Sequence, residues 1–325
     1  MSAPLPVGVI GVGVLGRHHA RHLAGNPGAE LVGVYDLDHE RARTVAGEWG
    51  TRAYDDLDRL LADVQAVSVA VPTPAHVDVG MQALGRGVAV LMEKPLAATL
   101  SEADRLVAEA TRHGVPLQVG HVERFNRAIR AAKPFLHDIR YLEGTRLAPF
   151  QTRGTDVAVV LDLMIHDLDL ILHLTGAPPA IDVRAVGVAV LSPYLDMVNA
   201  RVEFQTGTVA NVTASRVARE RVRRLRLFQA NGYFSLDLGA GHGDFVRLRD
   251  GWRQGQGSSL EEIAERIPLE APEADALGLE LDSFLRSVRG GHEVVVSGEE
   301  GRMALALALR VTEAVQHAPM LSPAS

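Results

Sequence analysis

Cysteine is absent from the 325 residues. Its absence removes disulfides, thiol nucleophiles and zinc–thiolate centres together. No apolar run approaches the roughly 20 residues that a membrane-spanning helix needs. The opening "MSAPLPVGVIGVG" has no basic flank ahead of an apolar signal segment, so a cytoplasmic location without a membrane partner is expected. A basic excess is missing too. The chain has 33 Lys and Arg against 40 Asp and Glu, a net charge of −7, which argues against nucleic acid or an anionic membrane, since either would want a basic face. What remains, 47% hydrophobic and 22% charged, is an ordinary globular balance, and the length suggests two domains.

The first 120 residues alternate strand and helix patterns. The runs "VGVI" (7–10), "LVGVY" (31–35), "AVSVAV" (66–71) and "VAVLM" (88–92) are apolar almost throughout, as strands covered on both faces should be. Between them lie amphipathic stretches with helix signals: Asp55 and Ser101 as starts, Gly114 as a stop. Strand then helix, repeated, predicts a parallel sheet with right-handed crossovers. Beyond residue 121 the style changes. Helical stretches near 124–137 and 156–175 precede alternating runs at 181–190, 197–204, 208–217, 222–229 and 233–238, with "QTGT" and "NG" as turns. Period-two alternation marks an antiparallel sheet with one covered face. Two helices, near 273–290 and 300–317, close the chain, and "GQGSS" (255–259) reads as a flexible loop. The expectation is an α/β chain, residues 1–121 forming a nucleotide-binding domain and 122–325 an α+β domain.

Gly11, Gly13 and Gly16 stand in the spacing G-x-G-x-x-G directly after the first strand and open a helix. Gly11 permits the tight turn, Gly13 lets backbone approach a pyrophosphate, and Gly16 lets helix and strand pack closely. The helix N-terminus offers free N–H groups and a positive dipole end to phosphates. Asp36, 20 residues past Gly16 at the end of the second strand, can accept hydrogen bonds from an adenosine ribose and would repel a 2′-phosphate. NAD is therefore favoured over NADP, with Arg41 and Arg43 close enough to leave NADP open. The plainer role for Asp36 is to cap the next helix. Gly11, Gly13, Val14, Leu15, Gly16 and Asp36 are the candidate cofactor contacts of this stretch.

Residues 162–170, "DLMIHDLDL", set charge into an apolar segment. On a helical wheel Asp162, His166, Asp169 and His173 fall at roughly 0°, 40°, −20° and 20°, one polar seam on an otherwise buried helix. Asp167, at roughly 140°, falls in the apolar arc, so it should be paired with an arginine or backbone amides. Asp169 and His173 are read as solvated or interdomain. Asp and His at this spacing are also metal-ligand types, but no cysteine assists and redox chemistry at a cofactor needs no metal. None is expected.

With the glycines, Asp36, "VPTPAH" (71–76) and "MEKPLA" (92–97), the chain resembles the Gfo/Idh/MocA oxidoreductases over essentially its whole length. The resemblance implies a Rossmann domain followed by an α+β domain whose large, mainly antiparallel open sheet mediates a homodimer or homotetramer. Glu93, Lys94 and Pro95 match the family's E-K-P segment, in which the lysine reaches nicotinamide and substrate. Asp162 and His166 match its D-x-x-x-H pair, in which the histidine exchanges the substrate proton. Pro72, Thr73 and His76 match a cofactor-lining loop, and "VGHVERFN" (119–126) places His121 and Arg124 among the substrate contacts. Met164 and Arg127 depart from residues frequent in the family, glycine and proline respectively. Within the family the local sequence is most similar to members acting on nucleotide sugars, UDP-N-acetylglucosamine 3-dehydrogenases in particular, a likeness that rests on no residue whose chemistry demands a nucleotide.

Oxidising a secondary alcohol needs a hydride acceptor and a base. An imidazole, with its unperturbed pKa near 6.5, suits the second role, which makes His166 the candidate base. Asp162, one turn earlier, can steer it. Lys94 can stabilise negative charge on the same oxygen. The arginines of "RVARERVRRLR" (216–226) form an anion patch, one or two of which could meet a substrate diphosphate, with strand-exterior solvation for the others. Two other functions fit the fold: glycoside hydrolysis through transient oxidation, and a non-catalytic nucleotide or sugar sensor. Retention of both Lys94 and His166 argues against the sensor.

Overall fold

Apolar and buried along most of its length, Leu5–Ile10 forms β1 at the centre of a six-stranded sheet. The computed structural model describes residues 3–151, 157–255, 257, 259–290 and 292–317. In chain order the first part runs β1, α1 (Val14–Ala24), β2 (Ala29–Tyr35), α2 (His39–Trp49), β3 (Arg52–Tyr54), α3 (Leu57–Asp63), β4 (Ala66–Val69), α4 (His76–Leu84), β5 (Ala89–Glu93), α5 (Leu100–His113) and β6 (Leu117–Gly120). Every pairing is parallel and the strand order is β3-β2-β1-β4-β5-β6. The order reverses between β1 and β4, the crevice where such sheets bind ligands.

The chain divides into two compact units, the first holding the chain up to Val122 together with Ala274–Leu305. The sequence pattern alone assigns 274–305 to the second domain. The structure returns it because Leu281, Phe284 and Leu285 of the helix Ala276–Val288 are buried in the core built by Val7, Val9, Leu23 and Leu91. Burial of each such side chain stabilises by about 1.5–3 kcal/mol. That partnership spans well over 150 positions of sequence and leaves no local trace.

The second unit, Glu123–Glu273 with the chain from Ala306, contains α6 (Arg127–Ala132), β7 (Tyr141–Leu147), α7 (Ile165–Thr175), β8 (Ala180–Val188), β9 (Met197–Phe204), β10 (Val209–Ser215), β11 (Val222–Gln229), β12 (Gly232–Asp237), β13 (His242–Leu248) and β14 (Ala264–Leu269). They form one eight-stranded sheet, β14-β13-β12-β11-β7-β10-β9-β8, antiparallel except between β7 and β10. Alternation along β9 buries Val198, Ala200, Val202 and Phe204 on one face, as the period-two pattern predicts.

Local differences have local causes. α3 is capped by Asp56, not Asp55. α5 begins two residues earlier than expected, capped by Thr99 and not Ser101: the Thr99 hydroxyl accepts from Glu102 N–H and the Glu102 carboxylate accepts from Thr99 N–H, a reciprocal box. The helix expected over 124–137 is α-helical only at Arg127–Ala132, because Asn126 caps it and Pro134 turns the following residues into a 3-10 turn. Residues 256 and 258 of the "GQGSS" loop and residue 156 of the expected helix 156–175 lie outside the described residues.

Candidate active site

Parallel register in the first unit aligns four strand ends. Ile10 pairs with Tyr35 and with Val69, and Val69 pairs with Met92, so Gly11, Asp36, Ala70 and Glu93 follow at one edge of the sheet. Gly11 has φ +80, and a Cβ there would lie 2.8 Å from Val71 N. A Cβ on Gly16 would lie 1.8 Å from Gly11 O, whereas one on Gly13 would meet nothing within 4 Å. Gly11 and Gly16 are thus demanded by the protein itself. Gly13 keeps open a space that the fold does not fill, which is the fit a pyrophosphate requires. Gly13 caps α1 without a side chain, and the first turn holds no acid, so the dipole end stays uncompensated. Val14 is 59% and Leu15 39% exposed, so both side chains at the start of α1 stand open beside the glycine turn.

Asp36 is nearly buried. One carboxylate oxygen accepts from Val12 N–H at 2.8 Å, the other from Asp38 N–H at 2.8 Å, and Arg41 stands 3.4 Å away. It therefore braces the glycine turn. The cap of α2 is Asp38, which removes the plainer capping role.

The chain has only two lysines, Lys94 and Lys133. In a protein that otherwise uses arginine for positive charge, the lysine in E-K-P is a signal the sequence reading passed over, because lysine is the cation whose charge tunes readily. Lys94 is half-buried at the end of β5. Beside it the Glu93 carboxylate contacts His19 Nε2 at 3.1 Å and accepts from Lys94 N–H at 3.1 Å, while His19 Nδ1 lies 2.6 Å from the Ser68 hydroxyl. Burial works against the Glu93 charge, but the His19 hydrogen bond and the Lys94 charge outweigh it and hold the carboxyl below its ordinary range. Glu93 thus braces the backbone at Lys94. His76 is buried, with Nδ1 2.9 Å from Pro95 O and Nε2 3.0 Å from Val71 O. Burial lowers its pKa. It ties the loop holding exposed Pro72 and half-buried Thr73 to the E-K-P turn. His121 is fully buried at the end of β6.

In the second unit Asp162 and His166 line one cavity of about 220 Å³ together with Arg146, Arg216, Arg221 and Arg223. Asp162 lies on a π-helical turn, Val160–Met164, that passes into α7. The uniform 100° wheel therefore does not apply across 162–166, although the pair still shares a pocket. Such turns occur often at functional positions.

Below that turn the seam faces protein. Asp169 is 1% exposed and accepts from Arg124 through Nε at 2.9 Å and Nη2 at 2.6 Å, with His173 Nδ1 3.2 Å from the same guanidinium. The solvated position expected for Asp169 is corrected: a buried carboxylate persists here because a guanidinium fork satisfies it. Arg124, expected among the substrate contacts, carries this buried pair. Asp167 accepts from Arg146 at 2.8 and 2.9 Å, and Arg146 also reaches Glu123 at 2.8 Å, which agrees with the arginine partner expected for Asp167. Burial opposes the Arg146 charge, but the two carboxylates outweigh it and hold the guanidinium above its ordinary value. Arg216 bonds buried Asp196 at 2.7 Å, so it too departs from the exterior position assigned to most of the 216–226 arginines. Sequence reasoning missed Arg146 and Glu123, which lie in segments without strong periodicity. Among the described residues no group of three His, Cys, Asp or Glu is arranged to hold a metal, and no helix is long and apolar enough to cross a membrane.

The family description "Oxidoreductase family, NAD-binding Rossmann fold" matches residues 5–121, and "GFO/IDH/MocA C-terminal domain" matches residues 135–235. The chain belongs to the Gfo/Idh/MocA oxidoreductase family. It is 42% identical over 312 residues to a UDP-N-acetylglucosamine 3-dehydrogenase of Acidithiobacillus ferrooxidans, covering 95% of this chain and 96% of that one. A solved structure of a UDP-N-acetylglucosamine 3-dehydrogenase from that organism superposes with TM-score 0.90 at 40% identity, over 97% of this chain and 98% of the other. A scyllo-inositol 2-dehydrogenase (NAD(+)) of Bacillus subtilis is 28% identical over 95% of this chain and 93% of its own length. The Rossmann glycines, the parallel first sheet and the mainly antiparallel second sheet are those of the family, and a nicotinamide cofactor goes with them.

Proposed function

We propose that the protein is an NAD-dependent dehydrogenase of a nucleotide sugar, oxidising the 3-hydroxyl of UDP-N-acetylglucosamine, and that it works in the cytoplasm. The observation that carries this reading is the cavity lined by Asp162 and His166 together with four arginines, in a chain so similar to a relative bearing that name. Gly11, Gly13, Val14, Leu15 and Gly16 would hold the cofactor's pyrophosphate, Pro72 and Thr73 its flank, and Asp36 its adenosine ribose. The bound nicotinamide supplies the hydride acceptor. His166 takes the hydroxyl proton, Asp162 fixes the imidazole and a neighbouring hydroxyl, and Lys94 donates a hydrogen bond to the oxygen as it gains negative charge. Glu93, His76 and His121 position the E-K-P turn and the adjoining strand end. Arg124 holds α7 through Asp169.

NAD is the preferred cofactor on this reading, because the Asp36 carboxylate, fixed by two backbone N–H groups, would repel a 2′-phosphate. The open face of the second sheet, with Tyr141, Phe228 and Tyr233 in ring contact, is read as the surface of a homodimer or homotetramer. The test is incubation of the purified protein with NAD and UDP-N-acetylglucosamine. Net NADH formation with a 3-keto product, and a larger kcat/KM with NAD than with NADP, are expected. Sugar cleavage without NADH, or no reduction with any nucleotide sugar or inositol, would overturn the assignment.

A further inference from the structure

Six arginines between 216 and 226 look alike in the sequence, and the sheet sorts them. In β11 the buried positions are Leu225, Leu227 and Gln229, so Arg223, two residues before Leu225, lies on the covered face. Arg224 and Arg226 lie on the other face, where Arg226 reaches Glu143. Arg221 continues the covered side by the same two-residue step. Both Arg221 and Arg223 line the cavity that contains Asp162 and His166.

Charge is arranged there against the stability of the sheet. Arg223 stands directly opposite Arg146 in the β11–β7 register, and like charges in facing positions are destabilising. Arg146 is matched by Asp167 and Glu123, and Arg216 by Asp196. Glu123, already bonded to Arg146 at 2.8 Å, stands 3.6 Å from Arg223. Arg223 is left with a shared, longer contact and a side chain 38% exposed. Burial first, then repulsion from Arg146 and Arg221, lowers its pKa. Arg221 is exposed and forms no ion pair among the described residues. Asp162 lines the same cavity, yet neither guanidinium has a close carboxylate of its own: Arg221 has none within ion-pair distance among the described residues, and Arg223 has only the shared one.

We infer that Arg221 and Arg223 form the subsite for the diphosphate of the substrate, so that the sugar end of the same molecule is directed to His166 and Asp162. The inference rests on the proposed function and adds to it the recognition of the nucleotide half. Planar guanidinium groups match phosphate oxygens in pairs. The subsite would select nucleotide sugars over free sugars and inositols, which lack the anion.

The experiment is calorimetric titration of UDP into the NAD-loaded protein, comparing wild type, Arg221→Ala, Arg221→Ala/Arg223→Ala and His166→Ala. Wild type and His166→Ala should bind UDP alike. The double variant should bind it roughly 10- to 100-fold more weakly, with NAD affinity and melting temperature near wild type. Arg221→Ala alone should show part of the loss, and its exposed position keeps the test valid if the double variant folds poorly. Equal UDP affinity in wild type and both arginine variants, or no UDP binding by wild type, would overturn the subsite. A catalytically active His166→Ala protein would instead overturn the proposed mechanism while leaving the UDP comparison intact.

Discussion

In the first unit the candidate ligand contacts are mostly main chain: a turn that only glycine can make, a helix end without a side-chain cap, and strand ends aligned by register. In the second unit they are side chains, and they stand on carboxylate–guanidinium pairs buried in a sheet-and-helix core. The difference teaches where tolerance should lie. A main-chain site is lost by adding atoms, and a side-chain site by removing them.

The largest effect expected is on chemistry. Lys94→Ala and His166→Ala should each lower turnover by roughly 10²- to 10⁴-fold while leaving NAD affinity near wild type in fluorescence titration. A His166→Ala protein with full turnover would show that the second unit does not supply the base. Next comes the support beneath it. Arg124→Ala leaves the Asp169 carboxylate buried without its fork, which should cost about 3–5 kcal/mol in chemical denaturation, and Asp169→Ala should resemble it. A loss below 1 kcal/mol would mean the pair is dispensable. Gly16→Ala tests the other unit by addition: its Cβ would collide with Gly11 O, so a loss of about 1–3 kcal/mol together with weaker NAD binding is expected. Unchanged NAD affinity would break the main-chain half of the comparison.

The smallest effect separates the buried pairs by pH. Burial would raise the Asp196 carboxyl, but the Ser192 hydroxyl, the backbone N–H groups of Leu191 and Val190, and Arg216 outweigh it and hold it well below the usual range. A depressed folded value contributes stability that is present above the unfolded value of about 4 and is lost as pH falls toward the folded one. Asp196→Asn should therefore be less stable at neutral pH and lose less on acidification, as read by denaturation midpoints across the acid limb. Parallel acid limbs for the two proteins would exclude that contribution.

What could be read from the sequence follows the same division. The glycine spacing and apolar strands of the first unit are local patterns, so the dinucleotide fold and the places of Gly11, Gly16 and Asp36 were visible without coordinates. β7, β13 and β14 were not, since Gly144 and Arg146 take covered positions of β7 where apolar residues would mark a strand, Gly243 does so in β13, and β14 is a six-residue stretch that includes Pro268. The return of Ala276–Val288 to the first core and the Arg124–Asp169 fork depend on residues far apart in the chain. The π-turn at Val160–Met164 has no periodicity of its own to betray it. Asp162 and His166 were legible as a pair, but the arginines that share their cavity could be sorted only once the register of β11 against β7 was known.

The most direct test of the central claim, that Lys94 and His166 serve one hydroxyl, is a double-mutant cycle on kcat/KM with UDP-N-acetylglucosamine. Groups acting on the same atom in one transition state are strongly non-additive. The double alanine variant should be about as slow as the slower single variant. Losses that multiply would contradict the account.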